Sequence, residues 1–228
     1  MAQRYFTPKT FAFLRDLEAN NNRPWFKERK DVYDAVIKEP ALDFIEDFAP
    51  YLKKISKHFL ADPSPVGGSL FRIHRDTRFG KDKTPYKTNT GMHFRHFLAK
   101  DAHAPGFYLH IEPNGCFAGV GLWRPEPAVA NQIRQMVADN PGRWKRVAYG
   151  KPTSSYFGQE GDKLKRPPKG FDPDHPLIED LKRKDFLATT KLTQKQVTGS
   201  RFLEEWAEMC KAGSGYAKFL CEAVGVPF

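Results

Sequence analysis

The sequence is poor in cysteine and has no long apolar run. Its three cysteines, Cys116, Cys210 and Cys221, are odd in number and form no CxxC pair, which argues against a disulfide framework and against a zinc finger. No apolar stretch approaches the roughly 20 residues that span a bilayer, and none follows Arg4 as in a secretion signal. We therefore expect a soluble, cytoplasmic protein with no membrane partner.

Several common functional motifs are absent too. The chain contains no P-loop, nucleophile elbow or HExxH motif, and Gly119-Val120-Gly121 lacks the third glycine of a dinucleotide fingerprint. The sequence thus predicts no cofactor, and nothing in it indicates an oligomeric state. Acidic residues number 27 against 37 Lys and Arg, for a formal net charge of +10. Such a balance favours anionic partners through steering and does not define a fold.

What the chain does contain is a basic segment at residues 71–88. Six Arg or Lys and two Asp give it a local charge of +4, and a glycine and a proline interrupt any helix through it. Phe71, Phe79 and Tyr86 are spaced along it, and aromatic side chains gain free energy when they leave water. We predict that they anchor the segment to a core as a rigid basic loop.

This segment belongs to a wider pattern in the chain. It reads RxHRDxRFxxDKxPYK from Arg72 to Lys87, and it is accompanied by NNNRPWF at 20–26, GFYLHIEPNG at 106–115 and RPPKGFD at 166–172. Together these stretches resemble the signature of a bacterial family of conserved hypothetical proteins, a domain of unknown function, over about residues 6–220. The resemblance implies no activity and supplies no catalytic residue.

Helical periodicity dominates both ends of the chain. Residues 1–60 predict three helices, with Thr7 and Pro8 as N-cap and first residue, Asn22 capping the second helix and Pro40 ending it. Another helix is predicted within 125–145, and residues 176–228 are predicted to be helical. The Gly- and Pro-rich residues 148–175 are typical of a surface arm.

A period of two indicates a sheet at residues 66–123. We predict strands near 69–75, 88–97, 106–112 and 116–123, with Asn114-Gly115 forming a tight hairpin turn at positive φ. Gly119 and Gly121 suggest a bulge or a close approach by another backbone or a ligand. The prediction is one α+β domain over 1–228, with a mostly antiparallel sheet of about four or more strands flanked by N-terminal and C-terminal helices.

Strand alternation assigns several polar residues to one sheet face. These residues are Arg72, His74, His93, Arg95, Tyr108, His110 and Glu112. The basic loop would overhang them, and its two Asp cannot neutralise six cations. We interpret the arrangement as a pocket for a phosphate-bearing or polyanionic ligand, such as a nucleotide or nucleic acid. The predicted ligand-binding residues are Arg72, Arg75, Arg78, Lys83, Tyr86, Lys87, Arg95 and Tyr108.

Two other functions fit the same residues. In an enzyme that processes phosphoesters or nucleic acids, Glu112 or Asp76 would act as general base and His74 or His110 as general acid. In a structural or protein-interaction module, the arginines would only brace the loop through ion pairs. No metal is predicted, because no HExxH-type spacing fixes two histidines together.

A second basic stretch at residues 163–169 offers a nucleic-acid variant of the anion hypothesis. It could follow a polynucleotide backbone while Tyr86, Tyr156 or Phe157 stacks on bases. A charge run with prolines is more commonly a solvated connector.

Overall fold

The structure is a computed structural model that describes residues 3–78, 80–98 and 104–228. Phe79, one of the predicted aromatic anchors, lies outside the described residues. The helices are α1 (Pro8–Ala19), α2 (Arg23–Glu28), α3 (Lys30–Tyr33), a π-helical turn (Asp34–Lys38), α4 (Glu39–Ile55), α5 (Pro127–Asp139), α6 (Pro141–Tyr149), α7 (Lys151–Ser154), α8 (Ile178–Leu181), α9 (Gln194–Val197) and α10 (Phe202–Ala223). The strands are β1 (Thr90–Arg95), β2 (Gly106–Ile111), β3 (Phe117–Leu122), β4 (Gly158–Glu160) and β5 (Phe186–Lys191).

The predicted α+β class is confirmed. The five strands form one sheet in the order β1-β2-β3-β5-β4, and every neighbouring pair is antiparallel. Strands β4 and β5 were not predicted, because they lie in residues expected to be a surface arm and a helical region. In β5 the polar residues Thr189, Thr190 and Lys191 weaken the apolar alternation that would have indicated a strand.

Helices cover one face of the sheet. Strands β1, β2 and β3 direct apolar side chains into a core that is almost closed to solvent. These side chains are Met92, Phe94, Phe107, Leu109 and Val120. Helix α10 packs on β2 and β3 and also against α4, so the longest helix spans the sheet and ties the N-terminal helices to it. Within the described residues, no helix combines the length and apolarity needed to cross a membrane.

The predicted helix signals are mostly confirmed, with one correction. Thr7 and Pro8 start α1, and the Asn22 side chain accepts a hydrogen bond from the Trp25 amide at 3.0 Å. Pro40 was expected to end a helix, yet it lies in the first turn of α4, directly after the π-helical turn. Pro141 follows the end of α5 and begins α6, since a proline in a first turn loses no intrahelical hydrogen bond.

The predicted strand near residues 69–75 is wrong. Only isolated bridges occur there, Leu70 with Met92 and His74 with Tyr86. After Phe71, whose amide still bonds the Gly91 carbonyl, the chain leaves the sheet and pairs with itself, because the Arg75 amide donates to Pro85 and the Lys87 amide to Ile73. We call residues 71–78 and 80–89 the covering loop, since they lie over the sheet face that the helices leave open.

The β2–β3 hairpin is confirmed, but its turn differs from the prediction. The strands pair from Gly106–Gly121 to His110–Phe117, and the Gly115 amide donates to Glu112 at 3.4 Å. Neither Asn114 nor Gly115 has a positive φ. The connection after His110 is longer than two residues, so it does not need the positive φ values of a two-residue turn.

Candidate functional site

Glycines line the sheet face opposite the helices. Gly91, Gly106, Gly119 and Gly121 occupy positions on this face where other strands carry side chains. Gly106, Gly119 and Gly121, together with residues of the covering loop, line a cavity of about 790 Å³, which we call the sheet cavity. Ligand pockets typically measure about 300–1,000 Å³, so the sheet cavity has the size of a small-molecule site.

Two of these glycines make room for neighbouring side chains. A Cβ on Gly91 would overlap the Tyr108 hydroxyl oxygen, and one on Gly106 would overlap Nε2 of His93. Gly121 has a φ of 137°, and any Cβ there would collide with the Phe186 carbonyl of β5. The predicted close approach of a backbone at Gly121 is therefore confirmed.

The predicted polar face exists on β1 and β2. His93 pairs across the strands with Tyr108, and both residues line the sheet cavity together with His110. Arg95 shares this face at the strand end, but it does not line the cavity and donates to the Gly67 carbonyl at 3.2 Å. Glu112 follows β2 and lies outside the cavity wall, behind His110.

Tyr108, His110 and Glu112 form a chain of hydrogen bonds along β2. The Tyr108 hydroxyl lies 3.0 Å from Nδ1 of His110, and Nε2 of His110 lies 3.3 Å from Oε2 of Glu112. A carboxylate can only accept, so Nε2 carries the imidazole proton and Nδ1 accepts from the phenol. Phe117 stacks on the His110 ring at 4.7 Å and fixes its orientation.

Burial sets the protonation of this chain. It lowers the pKa of His110 below its ordinary value of 6.5, although the hydrogen bond to Glu112 acts in the opposite direction. Burial, with a smaller contribution from the charge of Glu112, raises the pKa of Tyr108 to about 12. At neutral pH the imidazole is therefore neutral and able to accept a proton, while the phenol retains its own.

The covering loop pairs its two aspartates with two of its six cations. Asp76 accepts from Arg78 through both carboxylate oxygens, at 2.9 and 2.7 Å, and these hydrogen bonds lower the pKa of Asp76. Asp82 accepts from Arg75 and from the Thr84 amide, and its pKa is lowered to about 2, chiefly by the Thr84 amide. These contacts are the bracing ion pairs of the structural interpretation.

Lys87 differs from the other cations of the covering loop in being half-buried rather than exposed. Its ammonium donates to the Arg72 carbonyl at 3.0 Å and lies 5.4 Å from the Phe71 ring. Burial, with a smaller contribution from Arg72, lowers the pKa of Lys87 below 10.5. Within the described part of the chain, no carboxylate lies within ion-pairing distance of this ammonium. A half-buried ammonium thus lines the sheet cavity, with the Arg72 carbonyl and the Phe71 ring as neighbours.

Of the eight predicted ligand-binding residues, the structure brings three to the cavity wall: Arg75, Lys87 and Tyr108. Arg72 is exposed outside the wall, and Lys83 donates to the Thr77 carbonyl at 2.8 Å. Tyr86 is buried and stacks on Phe26 at 4.1 Å, which leaves no ring face for a ligand.

The remaining predicted residues have similarly varied positions. Of the predicted catalytic residues, Asp76 and His110 line the cavity, whereas His74 packs against the rings of Phe26 and Tyr86. Phe157, proposed to stack on bases, is 4% exposed and lies in the core.

The wall opposite the covering loop is acidic and was missed by sequence reasoning. Asp185 is buried, and its two oxygens accept from the amides of Arg124 at 2.8 Å and Asp162 at 3.1 Å. Glu160 and Asp162 line the same wall. These residues come from β4, β5 and the segments next to them, which were not predicted to join the sheet. The cavity as a whole therefore carries acidic as well as basic groups.

Arg124 shows local backbone strain at this wall. It has a φ of 44°, the only positive φ of a non-glycine residue in the described ranges. Its guanidinium lies 4.7 Å from the Trp123 ring, and Asp185 holds its amide. Strained residues of this kind cluster at ligand sites, where the surrounding structure holds them in place.

The described residues contain no group of three or more His, Cys, Asp or Glu that could hold a metal ion. A comparison with curated proteins gave no match. A family model described as "Conserved hypothetical protein (DUF2461)" matches residues 9–219, which confirms the resemblance seen in the sequence. The chain belongs to this family of conserved hypothetical proteins.

Proposed function

We propose that the sheet cavity binds a small ligand carrying a phosphate group, and that Lys87 and Arg75 contact this group. The observation that carries the proposal is Lys87, a half-buried ammonium at the cavity that forms no ion pair with a carboxylate among the described residues. A buried charge is costly unless it is paired. An anionic ligand would supply the missing partner.

Arg75 lines the same cavity as Lys87. It is held by Asp82 and Thr84, both of which contact Nη1. A guanidinium has five N–H donors, so the rest of its planar fork stays available for a phosphate oxygen. Asp82 then orients Arg75, as expected for a carboxylate behind a binding arginine.

The shape and lining of the cavity favour a small molecule over a polymer. Phe71, Tyr108, Phe117 and Trp123 contribute aromatic surface to the wall, and acidic groups line the cavity as well as basic ones. A polynucleotide would bring phosphates to both walls, and Asp162 and Glu160 would repel them. A compound with one anionic end and a ring or hydroxyl-bearing body fits both walls.

The first experiment is a ligand panel read by thermal unfolding. Inorganic phosphate, glycerol phosphate, ribose phosphate and nucleoside monophosphates are each compared with their unphosphorylated counterparts. A ligand that binds the folded state raises the melting temperature by mass action. We expect phosphorylated members to stabilise the protein more than their counterparts. Equal effects from every pair would contradict the proposal.

The second experiment assigns the binding to the cavity. We expect Arg75→Ala/Lys87→Ala to weaken the best ligand roughly tenfold or more, because each charge-assisted hydrogen bond contributes about 1.5–3 kcal/mol. Lys9→Ala/Arg15→Ala removes the same charge from the exposed face of α1 and serves as the matched control. If both double variants weaken binding equally, the effect is one of net charge and the site lies elsewhere.

Trp123 offers an independent optical readout. It lines the cavity and is 46% exposed, whereas Trp144 and Trp206 are fully buried. Binding should change the tryptophan fluorescence, and Trp123→Phe should remove most of that change. A signal that persists in Trp123→Phe would place the ligand away from this wall.

A further inference from the structure

Tyr108, His110 and Glu112 have the arrangement of a nucleophile, its base and the group that orients the base. In such arrangements, the nucleophile and base lie within hydrogen-bond reach and a third group holds the base in one tautomer. Here the two distances are 3.0 and 3.3 Å, and the carboxylate requires the tautomer that leaves Nδ1 ready to accept the phenol proton.

The chain is built into the rigid part of the fold. All three residues lie on or directly after β2, the strand between β1 and β3. The absence of a Cβ at Gly91 makes space for the Tyr108 hydroxyl, and Phe117 holds the His110 ring. Tyr108 itself lines the sheet cavity, with its ring 5.9 Å from that of Phe71, on which Lys87 also lies. The Tyr108 ring and the Lys87 ammonium thus share Phe71 as a neighbour and line the same cavity.

We infer that Tyr108 is a catalytic nucleophile, activated by His110 and Glu112, that attacks the phosphorus of a phosphate ester bound in the sheet cavity. This inference rests on the proposed function, which places the phosphate at Lys87 and Arg75. It adds an activity, phosphoryl transfer through a tyrosyl intermediate, to a site proposed above only to bind.

The reaction balances without a cofactor. In the first step the bond between Oη and phosphorus forms, the bond from phosphorus to the leaving oxygen breaks, and the Oη proton passes to Nδ1 of His110. Glu112 stabilises the resulting imidazolium, which can protonate the leaving oxygen. In the second step a water oxygen bonds to phosphorus, the Oη–phosphorus bond breaks, and one water proton returns to Oη through His110. One water is consumed for each ester cleaved.

The test uses an aryl sulfonyl fluoride, an electrophile that labels activated tyrosines. Attack by Oη forms an oxygen–sulfur bond, breaks the sulfur–fluorine bond, releases fluoride and transfers the phenol proton to His110. The probe is 4-(fluorosulfonyl)benzoate, whose carboxylate can contact Lys87, and the neutral benzenesulfonyl fluoride is its matched control. Peptide mass spectrometry measures the labelling rate at each of the eight tyrosines.

Tyr156 is the internal control, because it is exposed and lies outside the cavity wall. We expect Tyr108 to be labelled roughly tenfold or more faster, as general-base assistance typically provides. We also expect His110→Phe and Glu112→Gln to remove most of this advantage. His110→Phe keeps a ring beside Phe117, and the Glu112 side chain is partly exposed, so both variants should fold. Circular dichroism checks that they do.

The pH profile separates base assistance from simple ionisation. Glu112 directly after β2, His93 on β1 and Cys116, whose thiol donates to the Glu112 carbonyl, are the ionisable groups next to the chain. The charged groups that line the same cavity are Arg75, Asp76, Lys87, Arg124, Glu160, Asp162 and Asp185. Labelling of an unassisted phenol rises about tenfold per pH unit below its pKa. Labelling of Tyr108 should rise only through the titration of His110 and then stay level from about pH 7 to 9, because neutral imidazole is the base.

The outcomes distinguish the inference from the proposed function. Three results would overturn the inference: no labelling of Tyr108, a tenfold rise of its labelling rate per pH unit as at Tyr156, or an undiminished labelling rate of Tyr108 in both His110→Phe and Glu112→Gln. If Tyr108 then proves inert while Tyr108→Phe still binds phosphate compounds, the proposed function stands alone. A third outcome would separate the two in the other direction. If both probes label Tyr108 quickly, and Arg75→Ala/Lys87→Ala leaves the relative rates of the two probes unchanged, then Tyr108 is an activated nucleophile but Arg75 and Lys87 do not contact the anionic group.

Discussion

Gly106→Ala tests whether the glycines on the sheet face of the cavity are needed to leave space for neighbouring side chains. An added Cβ would overlap Nε2 of His93 and lie 2.9 Å from the Phe94 carbonyl oxygen and 3.0 Å from Cδ2 of His93. The carbonyl belongs to β1 and cannot move without disturbing the ladder with β2. His93 is buried and its ring has little room to withdraw. The substitution should therefore strain both strands.

The magnitude follows from two opposing effects. Overpacking typically costs about 1–3 kcal/mol, and replacing glycine with alanine returns about 0.4–1 kcal/mol by restricting the unfolded chain. We expect the free energy of unfolding to fall by about 1–2 kcal/mol, which for a domain of this size lowers the melting temperature by about 2–8 °C. Urea unfolding and calorimetry measure these quantities.

Gly158→Ala is the matched control on the same sheet face. A Cβ there would meet no atom within 4 Å, and its φ is not positive. The variant should be as stable as the parent or slightly more stable. If Gly106→Ala is as stable as Gly158→Ala, the fold does not require a glycine beside His93, and the steric explanation for the glycines of this sheet face is wrong.

Two further predictions concern the acidic wall and the pH dependence of stability. Asp185→Ala should lower the free energy of unfolding by about 1–3 kcal/mol, because it leaves the amides of Arg124 and Asp162 without acceptors. Asp185→Asn keeps an acceptor oxygen and should lose less stability. Equal losses of the two variants in urea unfolding would refute this role of Asp185. Native His110 has a lowered pKa, so the unfolded chain binds its proton first, and stability should fall as the pH drops through about 6.5. His110→Phe should flatten this slope in urea titrations between about pH 7 and 5, and an unchanged slope would mean that His110 does not contribute.

The polar sheet face illustrates what the sequence could predict. Alternation along β1 and β2 placed His93, Tyr108 and His110 together, because side chains two residues apart share a face of any strand. The same rule failed at Arg72 and His74. Their segment also alternates, but its backbone pairs with itself rather than with the sheet, and alternation does not report which partner a backbone chooses.

The acidic wall shows a second limit. Asp185 and Glu160 reach the cavity because β5 crosses back between β3 and β4, a pairing between residues that lie far apart in sequence. No local pattern encodes such a crossing. The basic surplus of the covering loop was countable from composition, but Arg75 and Arg78 use the two loop aspartates as partners. Lys87 could not be singled out before its burial and neighbours were known.

The most direct test of the central claim is the pKa of Lys87 with and without phosphate. Isotope-labelled lysine allows the Nζ titration to be followed by NMR, with Lys87→Met used to assign the signal. Without a ligand, burial should hold the pKa below 10.5, and saturating inorganic phosphate should raise it, because a neighbouring anion favours the charged ammonium. A Lys87 pKa that stays the same in phosphate would contradict an anion site at this residue.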